Sequence, residues 1–120
     1  MKFPKKIWTL EEAKKILPLI YKITEDFFLR VDKLNQKIQG ILPENELEIL
    51  EEQISKEIQL WMLNMLDLGV EVKGLWLVDF DNGKGYYCWK YDEKDIFYEH
   101  DYHSGFAGRK LIKKDSEEGL

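Results

Sequence analysis

Trp61-Met62-Leu63-Asn64-Met65-Leu66-Asp67-Leu68-Gly69-Val70-Glu71-Val72-Lys73 is the stretch where the chain changes period. Up to Leu68 the apolar residues recur every three or four positions; from Val70 they alternate. The first pattern belongs to a helix with a buried face, the second to a strand. Gly69 stands between them, and helices end readily on a left-handed glycine. Helices before this point and strands after it make an α+β chain.

Reading backwards, Glu44 to Leu68 is one helix, with Leu47, Leu50, Ile54, Ile58, Trp61, Met65 and Leu68 on one face. Pro43 suits its first turn, and Glu44, Glu46, Glu48, Glu51 and Glu52 crowd its start, where the helix dipole favours acids. Its last turns are apolar nearly all round, so that end requires cover on more than one side. Further back, Thr9-Leu10-Glu11-Glu12 is a capping box. Leu10, Ala13, Leu17, Ile20, Phe27, Val31, Leu34 and Ile38 then form the seam of a helix from about Leu10 to Gln39, with Gly40 as its stop. Thr24 is the one polar residue in that seam. Pro18 lacks an amide and clashes with the preceding turn, which predicts a kink near residues 14–18, or a break into two helices. The two helices form a long antiparallel hairpin over residues 9–68.

Reading forwards, Leu75–Phe80, Tyr86–Tyr91 and Ile96–His100 read as strands. Asp81-Asn82-Gly83-Lys84-Gly85 is a hairpin turn between the first two, and Asp92-Glu93-Lys94-Asp95 a turn before the third. This is a small three-stranded antiparallel β-meander. With the C-terminal motif it occupies about residues 70–112, and residues 113–120 read as a frayed tail. The 120 residues make a single domain.

Composition narrows the function. The chain is 44% hydrophobic and 34% charged, enough to build a core. A net charge of -5 disfavours nucleic acid, whose binding needs a basic face. Cys88 is the only cysteine, so no intrachain disulfide forms. No signal peptide and no membrane span are read, which gives the expectation of a soluble cytoplasmic protein. Lysine and glutamate dominate the charged residues while arginine occurs only at Arg30 and Arg109, a composition associated with thermophile proteins. A helix of about 30 residues is roughly 45 Å long, whereas a compact domain of this size is about 35 Å across. The hairpin therefore overhangs the sheet, and a second copy in a four-helix arrangement would cover it: a homodimer through the hairpin is expected.

Trp8-Thr9-Leu10-Glu11-Glu12-Ala13 with Leu17-Pro18 resembles the opening of the prokaryotic family called domain of unknown function 2203. So do Gly69-Val70-Glu71-Val72-Lys73, Leu77-Val78-Asp79-Phe80 and Cys88-Trp89-Lys90. Most specific are Ile96, Tyr98, His100 and Asp101 followed by Gly105-Phe106-Ala107-Gly108-Arg109. Two departures stand out: Asp81 occupies the place where the family often has proline, and the first hairpin is shorter. The resemblance implies that the C-terminal motif belongs together, and it implies no reaction.

The candidate ligand-binding residues are Asp79, Trp89, Tyr98, His100, Asp101 and Arg109. His100 and His103, with Glu99 and Asp101, are of the types that bind zinc or iron. Residues three apart on a strand face opposite sides, so both histidines reach one ion only if the chain turns after His100. The structural alternative is a strand-end histidine bonded to a carboxylate or carbonyl, and no cofactor is expected. Gly105-Phe106-Ala107-Gly108-Arg109-Lys110 could cradle an anion under the guanidinium; the alternative is a glycine turn with Arg109 paired to Asp79, Glu99 or Asp101. Cys88 could be a nucleophile with His100 on the adjacent strand as its base, but it has no flanking motif and reads as a packing residue. Alternation leaves one set of the aromatics Trp76, Tyr86, Tyr87, Trp89, Tyr91, Phe97, Tyr98, Tyr102 and Phe106 facing outward. The function expected is a dimeric binding or regulatory module. One alternative is a small metal-dependent or hydrolytic enzyme with His100 as base or ligand, Asp101 as orienter and Arg109 as anion clamp. A purely structural helix-hairpin protein is the other. No catalytic constellation is recognised, which favours the module over the enzyme.

Overall fold

The computed structural model describes residues 6–113; all but the first residue of the expected tail, 113–120, lies outside them. Helix α1 spans Leu10–Gln36. Thr9 caps it reciprocally with Glu12: the Glu12 amide donates to Thr9 Oγ1 at 3.1 Å and the Thr9 amide to Glu12 Oε1 at 3.0 Å. The helix is one element through Pro18, so a break into two helices is not what forms. Pro18 and Lys14 are both exposed, so the missing hydrogen bond lies on the solvent side, where water can take its place. The helix ends three residues earlier than expected. The amides of Lys37 and Ile38 reach back only three positions, to Leu34 and Asn35, before Gly40 turns the chain at φ 87°.

Helix α2 spans Glu44–Leu68 and stops on Gly69 at φ 92°. A Cβ at Gly69 would lie 3.2 Å from Lys6 Cβ, so space and φ both favour glycine there.

The sheet has five antiparallel strands in sequential order, which corrects the expected three. They are β1 (Glu71–Gly74), β2 (Leu77–Asp81), β3 (Gly85–Lys90), β4 (Tyr98–Asp101) and β5 (Lys110–Leu111). β1 turns into β2 through Leu75 and Trp76. Trp76 sits at φ 62°, a conformation costly for an aromatic residue. Its burial offsets that cost. The indole packs edge-on against Trp61, with centroids 5.0 Å apart, and against Phe28 at 5.9 Å. β5 is two residues long and shows no period of its own.

Val72, Val78, Phe80, Tyr87 and Trp89 face the helices and complete the core with Ala13, Leu17, Ile20, Phe27, Val31, Trp61 and Met65. Thr24, polar in an apolar seam, is fully buried and accepts from the Trp61 indole N–H at 2.9 Å. Alternation sends Leu77, Asp79, Asp81, Tyr86, Cys88, Tyr98 and His100 to the other face. Residues 102–109, including a 3-10 turn at Phe106–Gly108, fold back over that outer face. The described chain measures 61 × 34 × 26 Å, and α2 has only Trp61 and Met65 fully covered. Leu60, Met62, Leu63 and Leu66 near its end stay exposed.

Candidate functional site

The outer sheet face carries a cluster of ionisable side chains under the 102–109 segment. The β2–β3 hairpin sets Asp79 opposite Cys88, and the β3–β4 pairing sets Tyr86 opposite His100. One sheet face therefore gathers Asp79, Cys88 and His100, each no more than 5% exposed. His100 Nε2 lies 2.9 Å from Asp79 Oδ2. Its Nδ1 lies 2.7 Å from the Asp101 carbonyl oxygen. A carbonyl only accepts, so Nδ1 carries a proton. The contact at Nε2 then needs a second proton, shared between imidazole and carboxylate. Asp79 Oδ1 is buried without a conventional hydrogen-bond partner; what faces the carboxylate is the weak S–H donor of Cys88. Burial pushes the Asp79 carboxyl above its ordinary value, against the opposing pull of His100. Burial, reinforced by the Asp79 charge, pushes the Cys88 thiol up to about 12.

A cavity of about 230 Å³ lies against all three groups. Lys73, Leu77, Tyr86, Tyr102, His103, Gly105 and Phe106 complete its lining. Tyr102 spans the outer face: its hydroxyl donates to Asp81 Oδ1 at 2.7 Å, and its ring packs edge-on to Tyr86 at 5.1 Å. That hydrogen bond to the Asp81 carboxylate, with burial, pushes the Tyr102 phenol up to about 12. The Tyr86 hydroxyl donates to Glu71, whose carboxylate pairs with Lys73 at 2.9 Å, and the Lys73 ammonium sits 4.7 Å over the Tyr86 ring. Gly85 lets the strands close here, since a Cβ on it would clash with the His100 carbonyl oxygen. A larger recess of about 450 Å³, between the start of α1 and Phe97, Leu111 and Ile112, has no buried charged group among the described residues.

The candidate residues separate by face. Asp79, Tyr98, His100 and Arg109 lie on the outer side. Trp89 faces the helices, fully buried, its indole N–H donating to the Glu93 carbonyl at 2.8 Å. Asp101 does not orient the histidine with its carboxylate, which instead accepts the amides of His103 and Ser104 at 2.9 and 2.7 Å. Those two amides hold its carboxyl below the usual range. Glu99 sits on the opposite side of β4 from His100, across from Lys110, and His103 is exposed at the cavity mouth. The four residues His100, His103, Glu99 and Asp101 thus do not converge on one point.

Arg109 pairs with Glu93 at 2.9 Å, and this corrects the expected partners Asp79, Glu99 and Asp101. Its guanidinium lies between the rings of Tyr98 and Phe106, 4.0 and 4.2 Å from their centroids, with Nη1 3.9 Å from Cys88 Sγ. The amides of Gly108 and Arg109 are committed to the carbonyls of Gly105 and Phe106, so they do not form an anion cradle. The Cys88–His100 nucleophile pair is not built either: the imidazole engages Asp79, and the thiol stays protonated at neutral pH.

Cys88, read from sequence as a packing residue, and Tyr86, Tyr102 and Lys73 were not among the candidate ligand-binding residues. A signal for the first two was present: a turn over residues 81–85 fixes which residues of the two strands oppose each other, and period two then places Asp79, Cys88 and Tyr86 on one face.

Neither the curated proteins nor the solved structures held a match to the chain. The profile of one family of uncharacterised conserved proteins matches residues 6–112, nearly the whole chain. The match takes in the capping box, both helices, all five strands and the segment that roofs the cavity, so the chain belongs to the family known as domain of unknown function 2203.

Proposed function

We propose that the protein is a small cytoplasmic binding or regulatory module that works as a homodimer. Its site would be the cavity on the outer sheet face. The observation that carries this reading is the buried carboxylate of Asp79 at the cavity wall, one oxygen of which has no conventional partner. Buried polar atoms are nearly always satisfied, and an exception beside a cavity marks where a ligand atom would be welcome. Tyr86, Tyr102 and Lys73 supply polar tips around it, and Leu77 and Phe106 an apolar wall. No helix among the described residues is long and apolar enough to cross a membrane, which agrees with a cytoplasmic setting. Lysine- and glutamate-rich surfaces agree with a thermophile source.

The dimer would form through the hairpin. Leu60, Met62, Leu63 and Leu66 lie on the last turns of α2, each at least 38% exposed. A second copy of the same face is the occupant that buries them symmetrically.

Native mass spectrometry tests the dimer, and a fragment screen read by nuclear magnetic resonance tests the site. A species of twice 14.4 kDa, together with small organic fragments that shift the nuclear magnetic resonances of Tyr86 and Tyr102, supports the reading. A 14.4 kDa monomer at micromolar concentration overturns the dimer. A fragment screen that leaves the cavity resonances unmoved overturns the site.

A further inference from the structure

Asp79, Cys88 and His100 each direct one ligand-type atom to a common point, and these atoms all lie within 4.8 Å of one another. We propose that this triad binds a divalent transition metal of the zinc type, through Asp79 Oδ, Cys88 Sγ and His100 Nε2, with a fourth position facing the cavity. The inference rests on the reading of that cavity as the site and names its ligand.

Four observations converge on it. The first is spacing. Bonds of about 2.0 Å to oxygen and nitrogen and about 2.3 Å to sulfur, at tetrahedral angles, place ligand atoms roughly 3.3–3.6 Å apart. The His100–Asp79 contact at 2.9 Å is proton-bridged and slightly too short, and no separation exceeds 4.8 Å, so movements of about an ångström suffice. The second is tautomer. His100 donates Nδ1–H to the Asp101 carbonyl at 2.7 Å, the outer-shell bond that fixes a metal-ligating imidazole with Nε2 presented to the ion. The third is the orphaned Oδ1 of Asp79, on a side chain 1% exposed. An ion bound through either oxygen partners a buried carboxylate that the protein alone leaves short of donors.

The fourth is charge. Binding displaces two protons to solvent, the Cys88 thiol proton and the one shared between His100 Nε2 and Asp79. The carboxylate and thiolate that remain carry two negative charges, which a divalent ion cancels, so the occupied cluster is neutral and its burial is tolerable. Arg109 Nη1, 3.9 Å from Cys88 Sγ and held by Glu93, is placed to donate to the coordinated sulfur. Mixed oxygen, nitrogen and sulfur ligands select zinc, cobalt or iron over magnesium and calcium, which take oxygen alone. Three protein ligands with the fourth position open is the arrangement of zinc sites that bind water or substrate. Tyr86, Tyr102 and Lys73 surround that position.

Cobalt(II) tests the proposal on the full chain, with no organic ligand present. Protein stripped with chelator and desalted is titrated with cobalt chloride. The expected result is saturation at one ion per chain, a thiolate-to-cobalt charge-transfer band in the near ultraviolet, and the intense visible bands of a four-coordinate ion. Cys88 is the only cysteine, so such a band has no other source. Cys88→Ser abolishes it, and zinc chloride bleaches it in the wild type while magnesium chloride does not. Absence of the near-ultraviolet band in the wild type overturns the proposal, whether or not Cys88→Ser folds. Weak visible bands of a six-coordinate ion that survive Cys88→Ser overturn it too, as uptake by surface acids. Either failure leaves the cavity reading to the fragment screen, which contains no metal.

Discussion

His100→Ala removes the partner of a buried carboxylate. Asp79 Oδ2 loses its contact at 2.9 Å, and Oδ1 has no conventional partner to begin with. Leaving such a charge unpaired costs roughly 3–5 kcal/mol. The carboxyl can escape by taking up a proton. From an ordinary pKa of about 3.9, protonation at pH 7 costs about 4 kcal/mol, at 1.36 kcal/mol per unit. The two routes agree, so the variant should lose about 3–4 kcal/mol at pH 7. The loss should shrink in mild acid. Burial already holds Asp79 above its ordinary value, and His100 is the larger of the two charges that pull it down, Lys73 being the other. Without His100, the folded variant binds a proton that the unfolded chain does not. Stability then rises as pH falls, by up to about 1.4 kcal/mol per unit between pH 7 and 5. Urea unfolding followed by tryptophan fluorescence, in chelator at pH 5, 6 and 7, reads this directly. Asp79→Asn/His100→Ala is the control that lacks the titrating carboxyl. A loss below about 1 kcal/mol at pH 7, or the same pH slope in the single and double variants, would refute the buried-charge argument.

Three further outcomes are expected. Thr24→Val strands the Trp61 indole N–H in the core and should cost about 1–3 kcal/mol in a denaturant melt, whereas Thr24→Ser keeps the bond and should cost less. Cys88, fully buried with its thiol near 12, should resist iodoacetamide at pH 8 until the chain unfolds; mass spectrometry showing labelling at the rate of a free thiol contradicts this. Thr9→Ala should cost about 1 kcal/mol through the lost cap. The Glu12 carboxyl is held below its ordinary value by the Thr9 amide, so its contribution is present above the ordinary range and lost as pH falls through the depressed value. The gap in melting temperature between wild type and Glu12→Ala should therefore close in acid, below about pH 4.

The helices were legible because their signals are local. A capping box, a 3.6-residue period and a glycine stop each sit within a turn or two of the residues they govern. The hairpin at residues 81–85 was legible for the same reason. The alternation that becomes β1 was legible too, but not its pairing as a strand of its own, because the turn to β2 has Leu75 and Trp76 at its corner: Trp76 adopts φ 62° only because Trp61 and Phe28, far away in sequence, cover its indole. Local composition read Leu75 and Trp76 as strand, and tertiary packing made them a turn. β5 is too short to show alternation. At the site, His100, Asp79, Tyr98 and Arg109 were singled out by residue type, but their partners were not. Arg109 reaches Glu93 across a turn, and His100 takes Asp79 rather than its neighbour Asp101, because period two turns adjacent side chains to opposite faces.

Whether the outer-face cluster serves the fold or a ligand is a question of sign. A buried ion pair is a weak source of stability, since desolvating both charges offsets most of their attraction. Replacing such a pair with apolar residues of similar volume is often neutral or stabilising by about 1–4 kcal/mol, whereas removing one partner is strongly destabilising. Asp79→Val/His100→Leu makes that replacement. The Asp101 carbonyl loses its donor, but Asp101 is exposed and water can replace the bond. If the cluster exists for binding, the double variant should melt at or above the wild-type temperature in chelator while losing cobalt uptake and the fragment shifts at Tyr86 and Tyr102. A staple gives the opposite result: a double variant as unstable as His100→Ala alone would show that hydrogen bonds through His100 hold β2, β3 and β4 together. The orphaned oxygen of Asp79 would then be a tolerated defect of that staple and would no longer point to a ligand.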